Sequence, residues 1–294
     1  MKFNYQFTYS KKKEFILFFS EFFFFIFEII RHFIPTRVFK ESLKGLFISN
    51  FKLIILANGP SLENDLSRIN INSQIFAVNT LPTKSFFFKF KPKFLCWIDS
   101  MFWLDLASVD DKIQSLVSKT YTELNKVDWE IFLFIPKQAK KEIIKRIDNK
   151  NIKIFELPSL TFDFESSIYL RLLSKIFLPP PRINVAITAI YIAILSGIKD
   201  IDLIGADMNR IHCFKVNQKS NESFIDYIHF SSIQNIKLDL KDKLKNRRPK
   251  SMFVRLIREA STFKWFAYVS MMANISGVNL KNKSTNSLVD SIER

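Results

Sequence analysis

The stretch that most constrains this chain is "RINVAITAIYIAILSGIKDIDLIGADMN", residues 182–209. Its long apolar run has helical character and stops at Gly197, a residue suited to closing a helix, after which "DIDLIGAD" reads as a strand. Similar short apolar runs occur upstream as "FKLIILA" (51–57), "SQIFAVN" (73–79), "KFLCWID" (93–99), "EIFLFIP" (130–136) and "NIKIFELP" (151–158). Helical stretches are expected between them, around 101–126 and 137–148. Strands that are apolar throughout, alternating with helices, predict a Rossmann-like α/β fold with a mainly parallel sheet covered on both faces. The length of 294 residues and a hydrophobic fraction of 48% allow a substantial core.

In such sheets ligands gather beyond the carboxyl ends of the strands. Polar residues recur at those ends: Asn58 after the first run, Asn79 after the second, Asp99 after the third, and Asp207 after the strand near 201–205. Each is also an ordinary turn former or helix cap. Together they mark a candidate pocket. The turn Asn58-Gly59-Pro60-Ser61 offers backbone N–H groups and a hydroxyl, a weak signal for phosphate. It is neither a Walker A loop nor a GxGxxG fingerprint. A nucleophile elbow of the GxSxG type is absent from the sequence, which disfavours a Ser-His-Asp hydrolase.

Three histidines are present. His32 falls in the N-terminal segment, while His212 and His229 fall in 209–232, a stretch that reads as a long polar loop of the kind used for lids. A histidine there suits a general base, because imidazole titrates near neutrality. Sequence alone gives no dense His, Cys or carboxylate cluster with metal-ligand spacing, so no metal is expected. Cys96 and Cys213 are too few for a disulfide framework and fit a reducing, cytoplasmic compartment.

The N-terminal stretch "EFILFFSEFFFFIFEIIRHFI" (14–34) is long enough to suggest a membrane span, but Glu21 and Glu28 interrupt it. Glu14, Glu21 and Glu28 recur every seven residues and lie on one face of a helix whose other faces are Phe, Ile and Leu. This predicts an amphipathic helix with a narrow polar stripe, preceded by "KKK" at 11–13. The readings are a helix lying in the membrane interface, a helix packed on the domain, and a true span or a signal peptide, the last disfavoured because no small-residue cleavage site follows. Pro35 is expected to end it. The chain then divides into this helix (1–45) and an α/β domain (46–294) with a lid-like segment near 209–250.

The net charge of +16 favours anionic partners. The basic residues are dispersed apart from 11–13 and "KDKLKNRRPK" (241–250), and no nucleic-acid-binding signature accompanies them, which argues against nucleic acid.

The ordered set "LIILANGPSL", "FAVNTLP", "KPKFLCWIDSMFW", "NVAITAIYIAILSGIKDIDLIGADMN" and the closing "NKSTNSLVDSIER" resembles the bacterial sialyltransferase-like proteins. These are related to glycosyltransferase family 42 and to the hydroxymethylpterin diphosphokinase-like (domain of unknown function 115) group. The resemblance covers residues 50–294 in pieces. It implies a GT-A-variant nucleotide fold that takes a CMP-linked, sialic-acid-like donor and builds cell-surface polysaccharide or lipooligosaccharide by a metal-independent inverting mechanism. Asn58, Gly59 and Ser61 would meet the donor's phosphate and ribose, with Asn79 beside the nucleotide and Asp99 near the donor. Arg182 and Asn184 open the next motif, Gly205 and Asp207 close it, and Ser287 belongs to the final "N-x-x-x-x-S-L". His229, in "YIHF", is the implied base.

This chain departs from the family in two places. Asn209 and Arg210 stand where the sialyltransferases place tyrosines, and "RIN-VAI" replaces their "RIT-SGV". The partners implied are a nucleotide-sugar donor, a glycan or glycolipid acceptor, the inner-membrane surface and a second copy of the chain, with no resident cofactor. The rival reading is a pterin diphosphokinase using Mg-ATP, the magnesium held by Asp99 and Asp207. A third is a nucleotide-binding member without turnover.

Overall fold

The computed structural model describes residues 11–70, 72–104, 111–220, 222–229, 232–237 and 252–294. Seven parallel strands form the central sheet: β1 (Leu53–Leu56), β2 (Gln74–Val78), β3 (Phe94–Cys96), β4 (Ile131–Pro136), β5 (Ile152–Leu157), β6 (Asp200–Ile204) and β10 (Asn279–Asn282). Their spatial order is β10-β6-β1-β2-β3-β4-β5. The chain steps outward from β1 to β5, then returns to lay β6 against the other side of β1. The direction of winding therefore reverses between β1 and β6, which is where a doubly wound sheet opens a crevice at its carboxyl edge.

Side chains alternate across the sheet, as a strand period of two requires. Leu53, Ile55, Phe76, Val78, Phe94, Phe134 and Leu203 enter one buried cluster, while Ile54, Leu56, Ile75, Ala77, Leu95, Leu133 and Ile204 enter the other. The first cluster is covered by α1 (Lys11–Ser42), α6 (Ser167–Lys175), α7 (Val185–Leu195) and α8 (Met252–Ile275). The second is covered by α3 (Ser85–Phe90), α4 (Asp111–Asn125) and α5 (Lys140–Ile144), with Leu62 of the short α2 (Leu62–Asp65). Helix α7 is apolar all round and nearly all buried, and it stops before Gly197, whose φ of +85° suits only glycine well.

Three sequence expectations are corrected. The first concerns Pro35, which lies inside α1 and does not end it. An interior proline removes a helix hydrogen bond at a cost of about 3 kcal/mol. Beyond it Thr36 and Phe39 are buried, as is Leu43 just past the helix end, and that burial favours continuing the helix. The second concerns residues 209–232: instead of one long loop they form a short 3-10 turn and β7 (Phe214–Asn217), β8 (Glu222–His229) and the start of β9 (Ser232–Lys237). These pair antiparallel in the order β7-β8-β9. The third concerns 101–126, whose first residues belong to a 3-10 turn at Ser100–Phe102, with α4 covering Asp111–Asn125.

The glutamate stripe of α1 faces inward. Glu28 accepts from the Thr161 N–H (3.0 Å) and the Thr161 hydroxyl, and pairs with His32 (3.0 Å). Glu21 accepts from the N–H groups of Glu165 (2.7 Å) and Ser166 (3.0 Å), and Glu14 from the N–H of Ser167 (3.0 Å). Two glutamates of α1 thus serve N–H groups at the start of α6, which a helix leaves without internal partners. The heptad spacing places one carboxylate per two turns against the segment 161–167. Phe25, Phe39 and Leu43 flank them in the core, and Phe47, after the helix, stacks on Phe94 with ring centroids 3.8 Å apart.

Burial raises the Glu28 carboxyl pKa, but the hydrogen bonds from His32 and Thr161 outweigh it and hold the group below its ordinary value. A depressed pKa contributes stability above the ordinary carboxylate range and loses it as pH falls through the folded value. Glu28→Ala should therefore cost about 3 kcal/mol at neutral pH by urea unfolding, because it strands buried partners. The stability difference between the wild type and Glu28→Gln should shrink as the solution is acidified below that range. A difference that stays constant with pH would show that Glu28 is not ionised in the fold.

Candidate functional site

The site is built where β1 and β6 end side by side. Beyond β1 the backbone runs through Ala57, Asn58, Gly59 and Pro60 to Ser61, and beyond β6 through Gly205 and Ala206 to Asp207. The two turns are clasped together. The Ala57 N–H donates to the Ile204 carbonyl (2.8 Å) and the Gly59 N–H to the Gly205 carbonyl (2.7 Å), while the Ser61 N–H donates to Asp207 Oδ2 (3.0 Å). A Cβ on Gly59 would lie 2.0 Å from Asp207 Oδ2 and 2.4 Å from the Gly205 oxygen. Gly205 adopts φ +71°, and a Cβ there would meet Leu62 at 2.9 Å. Both glycines are required by the clasp itself.

The phosphate signal of the Asn58–Ser61 turn is weakened by these bonds. The N–H groups of Gly59, Ser61 and Leu62 are all spent inside the protein, the last on the Gly59 carbonyl (3.1 Å). The Ser61 hydroxyl is buried and donates to Asp65 Oδ2 (3.1 Å). An anion would also meet Asp207, a buried carboxyl whose pKa is pushed up by burial. The edge is better suited to groups that donate hydrogen bonds.

Three buried oxygens there lack a partner: Asn58 Oδ1, Asn79 Oδ1 and Asp207 Oδ1. Asn58 lies beside β2's exit through a long contact from its Nδ2 to the Thr80 hydroxyl (3.5 Å). Asn79 takes a left-handed backbone (φ 49°), which asparagine tolerates better than most residues. Its carbonyl accepts from the Trp97 indole N–H (2.8 Å), and its N–H donates to the Cys96 carbonyl (3.0 Å). A buried acceptor without a donor costs about 1–3 kcal/mol, so such atoms call for a ligand or water.

The remaining sequence-derived residues divide into two groups. Asn184 caps α7, accepting from the Ala186 N–H (2.8 Å), and its Nδ2 meets the Met208 sulfur (3.4 Å), which brings the start of α7 against the β6 turn. Arg182, two residues earlier, is exposed, and the Gln138 amide oxygen accepts from its guanidinium (2.8 Å) once that amide is turned to face it. Asp99 follows β3 at the same sheet edge, three residues beyond Cys96, and caps the 3-10 turn by accepting from the Met101 N–H (3.2 Å). Ser287 is buried, and its hydroxyl donates to the Ala206 carbonyl (2.6 Å), so it braces the β6 turn from behind. His229 closes β8, paired with Ser232, and its side chain lies outside the described residues.

Sequence reasoning missed the brace that holds the clasp. Ser284 accepts from the Ala206 N–H (2.9 Å), and Thr285 donates to Asp65 through its N–H (2.9 Å) and hydroxyl (2.5 Å). Asp65 is fully buried and also pairs with Arg68 (3.3 Å). The available signal was the hydroxyl-rich "KSTNS" (283–287) with a carboxylate four residues after Ser61. Among the described residues no three His, Cys, Asp or Glu side chains gather as a metal-holding group.

Gly59→Ala should lower stability by about 3 kcal/mol, because its methyl group meets a carboxylate and a backbone carbonyl that cannot both withdraw. Asn58→Ala, one residue away and half-buried, should change it by less than about 1 kcal/mol. Urea unfolding of the two variants separates the scaffold of this turn from its free side chain. Equal losses would mean that Asn58 also belongs to the scaffold.

No family model matches the chain, and no curated protein matches it. A solved structure described as "Structure of MAf glycosyltransferase from Magnetospirillum magneticum AMB-1" is similar over 83% of this chain at 10% identity, with a TM-score of 0.43. The match covers 34% of that larger chain, so this chain spans about a third of its length.

Proposed function

We propose that this chain is a glycosyltransferase that takes a nucleotide-linked donor, CMP-linked on its sequence resemblance, and builds a cell-surface glycan or glycolipid. The observation that supports a nucleotide is that Asn58, Asn79 and Asp207, each with an unpartnered buried oxygen, follow the neighbouring strands β1, β2 and β6 at the carboxyl edge of the sheet. Acceptors that lack a donor suit the hydroxyls of a ribose and the amino group of a base.

In this reading the nucleoside lies over β1, β2 and β6. Its phosphate points towards Arg182 and the N-terminus of α7, whose helix dipole and cation suit a departing anion. The acceptor hydroxyl attacks the anomeric carbon, and the bond from that carbon to the phosphate oxygen breaks. His229 takes the hydroxyl proton, and the nucleotide leaves with the electron pair. Asp207 orients hydroxyls through its free oxygen.

The test begins with thermal shifts of the whole chain against CMP, CDP, UDP, GDP and ATP, with and without Mg²⁺. A ligand at a hundred times its Kd should add about 2.7 kcal/mol of apparent stability. The expected result is a shift with CMP that Asn58→Ala and Asp207→Asn each weaken about tenfold, the loss of one hydrogen bond to a buried acceptor. Sugar transfer or donor hydrolysis from CMP- and UDP-sugars should then fall at least about a hundredfold in His229→Ala, the usual contribution of a general base. A shift with Mg-ATP alone, followed by AMP release with a hydroxymethylpterin, would replace this reading with the diphosphokinase one. CMP binding without any turnover, indifferent to His229→Ala, would leave a nucleotide-binding protein.

A further inference from the structure

Helix α1 is polarised in the reverse of the usual sense. Its inward stripe carries Glu21, Glu28, His32 and Thr36, all buried, interleaved with Phe25 and Phe39. Its outward surface is apolar along most of its length, with Phe15, Phe19, Phe23, Phe27, Ile30, Ile34 and Val38 exposed, Phe23 at 78% and Ile30 at 74%. At 32 residues the helix is about 48 Å long. An apolar strip of that length far exceeds the scattered exposed hydrophobics of a soluble surface and marks an interaction face.

Charge decides the occupant. The three glutamates of the first thirty residues of this helix region, Glu14, Glu21 and Glu28, are turned onto the segment 161–167. Outward beside the phenylalanines stand the basic Lys12, Lys13, Arg31, Arg37 and Lys40, while Glu41, exposed at the helix end, is paired with Lys44 (2.5 Å). Arg31 and Arg37 lie over the rings of Phe27 and Phe33, at 5.8 and 4.2 Å, with their stems along the apolar strip. A second copy of the chain would bring like charges together over this face, in a protein whose net charge is +16. A surface with anionic headgroups above an apolar layer matches both features at once. Among the described residues no helix is long and apolar enough to cross a membrane, so the fitting geometry is a helix lying in the interface. The start of α8 continues the pattern, exposing Phe253, Leu256 and Ile257 on a helix that packs on α6, which in turn packs on α1.

We infer that the outer face of α1 docks the folded domain on an anionic lipid surface, with the phenylalanines in the headgroup–acyl boundary and the arginines and lysines at the phosphates. The polar stripe, which a free interfacial helix would turn to water, is instead consumed in attaching the helix to the domain. This inference stands apart from the nucleotide reading, and its test uses no nucleotide.

The full chain is sedimented with vesicles of phosphatidylcholine alone and of equal parts phosphatidylcholine and phosphatidylglycerol. Strong binding is expected to the anionic vesicles, weakened by salt and by the pair Arg31→Gln and Arg37→Gln. The variant carrying Phe23→Ser, Phe27→Ser and Ile30→Ser should keep the wild-type melting temperature, since these side chains are exposed, and lose roughly tenfold or more of its partition into anionic vesicles. Vesicle binding unaffected by the triple substitution would overturn the inference. So would absence of vesicle binding by a wild type that sediments as a dimer and becomes a monomer on the same substitutions, which would assign the face to a second copy.

Discussion

Everything at the candidate site depends on one short contact, the Gly59 N–H against the Gly205 carbonyl at 2.7 Å. It forms only because neither residue has a side chain. A methyl on Gly59 would strike the Asp207 carboxylate, and Gly205 needs a left-handed backbone. With the two turns in contact, Asp207 is drawn beneath Ser61, buried and held by one oxygen, while its other oxygen is left without a partner. The chain has five glycines in all, and two of them are spent here. The cost of burying a carboxylate with an unmet oxygen at the opening of the sheet is the kind of local compromise that functional sites carry.

The sheet was legible in the sequence because parallel strands buried on both faces leave continuous apolar runs. Each of the six expected strands is present within a few residues of its run, and helices cover both faces. The carboxyl-edge residues were legible for the same reason, since position along a strand fixes which end a residue occupies. Their individual duties were not. Asn58 and Asn79 look alike as turn formers next to Ser61 and Ser287, yet the first pair keep an unpartnered oxygen and the second pair hold the scaffold. Whether a hydroxyl faces a pocket or a neighbouring carbonyl is decided by contacts far away in sequence, which spacing does not carry.

The N-terminal helix shows the same limit in another form. Heptad-spaced glutamates identify a face, but periodicity is silent about which face turns inward. The usual assumption sends acids outward, and it fails here because the segment 161–167 presents a row of N–H groups that need acceptors. A carboxylate is expensive to bury alone and worth burying when several donors converge on it. Pro35 was misjudged for a related reason, since local propensity ended the helix while burial on either side of the proline carried it through.

The brace behind the clasp has a consequence for how the protein is made. Asp65 and Thr285 are separated by 220 positions, and the bonds from Ser284 and Ser287 to Ala206 span about 80. During synthesis β1, β2 and the whole apolar helix before β6 emerge long before the residues that fix their exit turns. A nascent chain can assemble much of its sheet while the crevice edge is still unbraced and the Asp65 carboxylate lacks its threonine. Closing contacts of such long range is slow and cooperative. The carboxyl edge of the sheet is therefore completed only after the residues near 285 have joined it.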